Sequence, residues 1–144
     1  DTIKMNLDDI RASWLEDCKI DTNDLDTENF KVTVIHEKYL NIWSQFRLLL
    51  SDAEAKNKRM YKEKFEYYSG KAPAKVYAER PFNYKVLKGD LNTYIWADDE
   101  YIRTKQKCDY LETCINYLEN VLRQCSNRGF QIKNVIELRK YENY

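Results

Sequence analysis

The feature that most constrains this chain is an apolar side chain at every seventh residue through much of its first half. The first series of positions is Val32, Tyr39, Phe46, Ala53, Met60 and Tyr67. A second series fills the other apolar position of the same heptads with Ile35, Ile42 and Leu49. Such spacing is typical of an amphipathic helix that packs along its length against another helix. The pattern predicts one long helix over residues 28–68.

Shorter segments with helical spacing lie on either side. Apolar positions predict a first helix over residues 7–18, which begins after the N-cap residue Asn6. A later apolar stripe predicts a helix over residues 100–126, with Gly129 as the signal that stops it. A C-terminal helix is predicted to follow over residues 131–142. Because a helix of about a dozen residues is unstable alone in water, we expect this last one to dock on a sister subunit.

The segment between the long helix and the next one has a different pattern. Residues 71–98 carry alternating and β-branched side chains around Lys88-Gly89-Asp90, which predicts a small β-hairpin or an extended arm. With three glycines and two prolines in 144 residues, the composition argues against a β-sandwich or barrel. We therefore expect one domain over residues 1–144, mainly α in class (α+β), that assembles as a homo-oligomer.

The sequence carries no pattern of a catalytic or metal centre. Its one histidine is His36, its four cysteines have no CxxC spacing, and it lacks the glycine-rich loops that hold phosphates. No apolar run approaches the ~18 residues of a membrane span. We therefore expect no enzyme activity, no catalytic residue, no metal, no cofactor and no membrane partner.

A net charge of zero hides a concentrated positive region in the middle of the chain. Residues 56–88 hold ten basic and three acidic side chains, whereas residues 1–55 hold six basic and twelve acidic ones. Cations neutralise phosphates, and interleaved aromatic rings stack on unpaired bases, so this mixture indicates a site for single-stranded DNA. The candidate DNA-binding residues are Lys58, Arg59, Lys62, Lys64, Tyr67 and Lys71.

Alternatives remain open for parts of this region. Three aromatic residues share one helical face, which favours a place in the core: Tyr61, Phe65 and Tyr68. On a regular helix Lys64 lies about 200° round from Lys62, so one strand contacts both only if the helix ends early or the DNA runs between chains. A helical adaptor or scaffold that acts by coiled-coil contacts would carry the same long helix, with its charges serving only solubility.

Two short motifs resemble one known family. Residues 62–70, KEKFEYYSG, followed by a basic residue, resemble the element around YYSG of the UvsY family, the recombination mediators of T-even-like phages. Residues 127–133, NRGFQIK, followed by Glu137-Leu138-Arg139, are similar to the family's C-terminal RGF-x-IK helix. The order and spacing of the two motifs also agree with the family, so the resemblance covers most of the chain.

The resemblance implies a non-enzymatic protein that forms a ring of six or seven subunits and binds single-stranded DNA. It implies two protein partners, a RecA-like phage recombinase and the phage single-stranded-DNA-binding protein, in the cytoplasm of an infected bacterial host. The recombinase would be loaded onto strands that the binding protein coats. In family terms Lys62 and Lys64 contribute to DNA binding. The C-terminal helix would be the assembly element, through Ile132, Val135, Ile136 and Leu138.

Overall fold

The heptad-patterned segment forms helix α2, Leu25–Tyr68, in the computed structural model, which describes residues 5–143. Helix α1 precedes it over Leu7–Asp17, and a capping box starts it, because Asn6 and Asp9 each accept a hydrogen bond from the other's backbone N–H. Helix α2 begins three residues before the expected position 28. The Asp24 carboxylate accepts a hydrogen bond at 3.3 Å from the Thr27 N–H, as an N-cap does.

The prediction of a β-hairpin over residues 71–98, and with it the α+β class, is wrong. Helix α3 spans Ala74–Glu79, a 3-10 turn spans Lys88–Asp90, and helix α4 spans Leu91–Trp96, with no strand anywhere in residues 5–143. The alternating aromatic side chains pack against the end of α2 instead of pairing strands. Tertiary packing of this kind determines whether residues with high β-propensity form a strand.

The last part of the chain forms one continuous helix, α5, over Asp99–Glu142. The expected stop at Gly129, with separate helices over residues 100–126 and 131–142, is therefore not what the structure shows. Glycine inside a helix costs only about 1 kcal/mol relative to alanine. Here Arg128 and Ile132 are buried on either side of the glycine, so packing holds the backbone helical through it.

The chain divides into two compact units. The first combines residues up to Leu48 with those from Thr113 onward. Its core includes the fully buried Tyr39 ring, whose hydroxyl donates at 2.7 Å to Asp17. The other apolar core residues of this unit are Ile10, Leu25, Ile42, Phe46, Cys114, Ile115, Leu118, Val121, Cys125 and Ile132.

The second unit is Leu49–Glu112 and contains the basic region. Its parts of α2 and α5 run antiparallel, since Asn57 donates a hydrogen bond at 2.9 Å to Thr104 while Lys64, further along α2, pairs with Glu100. The buried apolar side chains of this unit are Leu50, Ala53, Leu91, Ile95, Cys108 and Leu111. Across residues 5–143, no helix combines the length and the apolar character that crossing a membrane requires.

Candidate nucleic-acid interface

Three of the predicted DNA-binding residues form an exposed cationic surface on α2. Lys58, Arg59 and Lys62 fall within about 100° of arc on a regular helix, and all three are exposed. We call this set the basic arc. Lys62 lies at a loose 3.9 Å from the Glu66 carboxylate, and neither Lys58 nor Arg59 makes an ion pair with any described residue. The basic arc therefore presents cations that can bind phosphates.

Lys64 lies on the opposite face of the same helix and is buried, with 9% of its side chain exposed. Its ammonium is 3.4 Å from Asp98 Oδ2 and 3.4 Å from Glu100 Oε1. Two carboxylates thus neutralise a charge that was expected to face DNA. The structure does not bring Lys62 and Lys64 together, because a spacing of two residues turns about 200° on a helix that continues to Tyr68.

Asp98 connects this ion pair to the start of α5 and the end of α2. Its Oδ1 accepts hydrogen bonds from the backbone N–H of Glu100 and Tyr101, at 2.9 and 3.1 Å, and its Oδ2 accepts one from the Tyr68 hydroxyl at 2.7 Å. Burial alone would raise the pKa of Asp98. The bonds from Tyr68 and Tyr101 and the nearby Lys64 ammonium outweigh burial and hold that pKa below its usual value. Burial and the bond to Asp98 also raise the pKa of Tyr68.

Tyr67 is surrounded by other rings, so it is poorly placed to stack on a base. Its ring lies parallel to Tyr77, with centroids 5.4 Å apart and planes 17° apart, and contacts Phe82 at 5.5 Å. Its hydroxyl donates at 2.9 Å to the Arg80 carbonyl. The neighbouring rings together form one aromatic cluster, defined here as Tyr67, Tyr68, Tyr77, Phe82, Tyr84 and Tyr94.

Lys71 lies just past the turn that ends α2. Gly70 has φ +77°, and the Lys71 N–H donates at 2.8 Å to the Glu66 carbonyl, which together make a Schellman cap. Only glycine adopts this backbone region at no steric cost, so the YYSG motif contains a helix stop. The Lys71 side chain is exposed and forms no ion pair with residues 5–143. Its ammonium is available to a ligand.

Two properties of this region could not be predicted from the sequence, the ion pairing of Arg80 and the exposure of Tyr84. Arg80, one of the basic residues of the middle region, forms an ion pair with Glu100 and so does not add a free cation. Tyr84 is the exposed member of the aromatic cluster, with 65% of its surface accessible. No periodic pattern in the sequence distinguishes Tyr84 from its half-buried neighbours, because it lies in a segment without regular structure.

The four predicted assembly residues differ in their surroundings. Ile132 is buried within the first unit and Ile136 is half-buried, so neither presents much apolar surface. Val135 and Leu138 are exposed, Leu138 at 58%, and Phe130 and Tyr141 on the same helix are exposed as well. The described residues include no cluster of three or more His, Cys, Asp or Glu side chains that could hold a metal ion.

One protein family matches this chain over most of its length. Residues 13–144 match the family model described as recombination, repair and ssDNA binding protein UvsY. The chain is 24% identical over 138 residues to the recombination protein uvsY of Enterobacteria phage T4, an alignment that covers 96% of this chain and 98% of that protein.

Solved structures of the bacteriophage T4 recombination mediator protein UvsY share the fold. The lattice type II crystal structure has a TM-score of 0.87 at 24% identity, covering 97% of this chain and 99% of that one. The lattice type IV structure has a TM-score of 0.83 at 23% identity, with 96% and 99% covered.

Proposed function

Because this chain belongs to the UvsY family of recombination, repair and ssDNA-binding proteins, as its sequence resemblance suggested, we propose that it binds single-stranded DNA through the basic arc and Lys71. The observation that carries the proposal is the exposure of Lys58, Arg59 and Lys62 on one face of α2, where the one ion pair with a described residue is the loose 3.9 Å contact between Lys62 and Glu66. Affinity for phosphates comes from such free cations, since each one that pairs with a phosphate releases a condensed counterion.

More specifically than DNA binding, we propose that the protein acts as a recombination mediator. The protein helps to load a RecA-like phage recombinase onto strands coated by the phage single-stranded-DNA-binding protein, in the cytoplasm of the infected bacterial host. Its relative from phage T4 is a recombination mediator protein, and this family relation supports the same role here. The protein acts by binding and not by catalysis, and it uses no cofactor.

We also propose that the protein acts as a homo-oligomeric ring of six or seven subunits. Exposed apolar side chains on α5, at Val135 and Leu138, support self-association, because their burial between subunits removes apolar surface from water. A ring repeats the basic arc in every subunit. Several weak contacts on one strand then combine into tight binding through effective concentration.

The test is a titration of the full-length protein with a labelled single-stranded oligonucleotide over a series of salt concentrations. The logarithm of affinity should fall linearly with the logarithm of salt, with a slope of about −0.7 for each phosphate neutralised. A variant with Lys58, Arg59 and Lys62 all replaced by alanine should bind more weakly and with a flatter slope. Unchanged affinity and slope in this variant would contradict the proposed site.

An alternative function, a helical adaptor that acts by coiled-coil contacts, is favoured by one observation. Phe30 and Val34 lie one turn apart on α2 and are both exposed, as in a helix face that meets another protein. The same titration separates the two functions. An adaptor would show no binding to the oligonucleotide even at low salt.

A further inference from the structure

A groove in the second unit lies between the end of α2 and the irregular segment that follows α3. Its volume is about 290 Å³, close to the ~300 Å³ lower end of ordinary small-ligand pockets. Rings of the aromatic cluster line it, among them Tyr67, Phe82 and Tyr84, and Lys85 lines it as well. Flat aromatic walls beside a cation suit a planar ligand that carries negative charge.

Tyr84 is the most exposed ring in this groove, with 65% of its surface accessible. It stacks on Tyr94 with centroids 6.0 Å apart and planes 26° apart, and it makes no other ring contact within residues 5–143. Its exposed surface is unlike that of Tyr67, which has ring neighbours on several sides. Aromatic rings presented in this way serve as stacking platforms for unpaired bases, since every base has a π-face.

The cations around Tyr84 are also free. Lys85 follows it directly and lines the groove, Lys88 lies four residues further along the chain, and Lys71 directly follows Gly70, which also lines the groove. All three are exposed, and none forms an ion pair with a described residue. A nucleotide whose base entered the groove would find cations for its flanking phosphates.

We propose that this groove receives one unpaired nucleobase, stacked on the exposed ring of Tyr84, while Lys71 and Lys85 hold the phosphates on either side of it. The inference deepens the proposed binding of single-stranded DNA and rests on it. It divides the site into two parts with different chemistry. The basic arc on α2 binds the backbone, and the groove recognises that the strand is unpaired, because a base in a duplex is not free to enter.

The experiment compares two labelled oligonucleotides that have equal numbers of phosphates, one made of thymidine nucleotides and one made of abasic sites. The full-length protein should bind the thymidine strand at least about tenfold more tightly, the effect of a single stacked base. Tyr84→Ala should lower affinity for the thymidine strand to that for the abasic strand, without changing the salt slope. Tyr84→Phe keeps the ring and should retain the preference.

A third variant, Tyr84→Leu, preserves apolar volume without a π-face and should behave like Tyr84→Ala, with an unchanged thermal midpoint as the check on folding. If the wild-type protein binds both strands equally with a steep salt dependence, the groove does not bind a base, and DNA binding depends on the basic arc alone. If Tyr84→Ala keeps the preference for bases, Tyr84 is not the platform. If neither strand binds at any salt concentration, the proposed function itself is overturned.

Discussion

The guanidinium of Arg128 donates a hydrogen bond at 2.8 Å to the carboxylate of Glu28, a residue 100 positions earlier in the chain, and both side chains are buried. Arg128 also donates to the carbonyls of Lys19, at 2.7 Å, and Asp17. One side chain thus ties α5 to the segment between α1 and α2. The arginine of the NRGF motif therefore has a structural role inside the first unit.

Replacing Arg128 by alanine should lower the free energy of unfolding by about 3 kcal/mol, because it leaves the buried Glu28 carboxylate with Lys31 as its remaining cationic partner. Urea unfolding followed by circular dichroism measures the effect. Arg123→Ala is the matched control on the same helix, since Arg123 is exposed, and it should change stability by less than about 0.5 kcal/mol. Glu28→Gln added to Arg128→Ala should recover part of the loss, and simple additivity of the two changes would contradict this coupling.

Lys62 and Lys64 offer a pair of variants with opposite expected effects. Lys64→Met removes the partner of two carboxylates and should lower stability by about 1–3 kcal/mol without changing the salt slope of DNA binding. Lys62→Met should leave stability within about 0.5 kcal/mol and should flatten that slope by about 0.7 if it removes one phosphate contact. Urea unfolding and the salt titration measure the two properties separately. A flatter slope for Lys64→Met in a fully stable protein would show that Lys64 does reach DNA.

The protein should lose stability in acid. The pKa of Asp98 is lower in the folded state than its ordinary 3.8, so the unfolded chain takes up a proton more readily than the folded one. The carboxylate's contribution is therefore complete above that ordinary value and disappears as the pH falls through the folded-state pKa. The pKa of Asp17 is also lowered, because its hydrogen bonds from Lys38 and Tyr39 outweigh burial. The pKa of Glu28 is lowered in the same way by its hydrogen bonds from Lys31 and Arg128.

Urea midpoints at pH 7, pH 5 and about pH 3 measure this dependence. The wild-type midpoint should hold between the first two and fall at the third. Asp98→Asn should have a lower midpoint at pH 7 and a smaller further decrease in acid. A midpoint that rises on acidification would contradict the assignment of a lowered pKa to Asp98.

Leu138→Asp should reduce the mass of the oligomer while leaving each subunit folded, since its side chain is exposed in the isolated chain and a buried unpaired charge is costly at an interface. Light scattering gives the mass, and circular dichroism gives the helix content. Ile132→Ala is the contrasting variant, because Ile132 is 1% exposed and its truncation should cost about 2–5 kcal/mol of subunit stability. A Leu138→Asp protein of unchanged mass would dismiss assembly through this face.

Local spacing was enough to predict the helical character of α2 and the exposure of three cations. Tyr39 and Phe46 are buried seven residues apart in α2, as a regular apolar repeat requires. Lys58 and Lys62 are four residues apart and share the exposed face. Both properties follow from the turn of a single helix, which depends only on residues close together in the chain.

The error over residues 71–98 has a different origin. Alternating aromatic residues suit a strand, but the Tyr77 hydroxyl donates at 2.7 Å to the Tyr67 carbonyl at the end of α2, and Phe82 packs beside the same ring. The partner that decides the conformation is another helix and not a neighbouring strand. Nothing within the segment itself distinguishes the two outcomes.

The helical periodicity, the place of the positive charge and the family of this protein follow from the order of its amino acids alone. The continuation of α5 through Gly129 and the choice of which cations stay free depend instead on packing between distant segments. Lys64 is neutralised by Asp98 and Glu100, while Tyr84 stays 65% exposed. The reason is that periodicity is a property of neighbouring residues, whereas burial and ion pairing depend on groups brought together from distant parts of the chain.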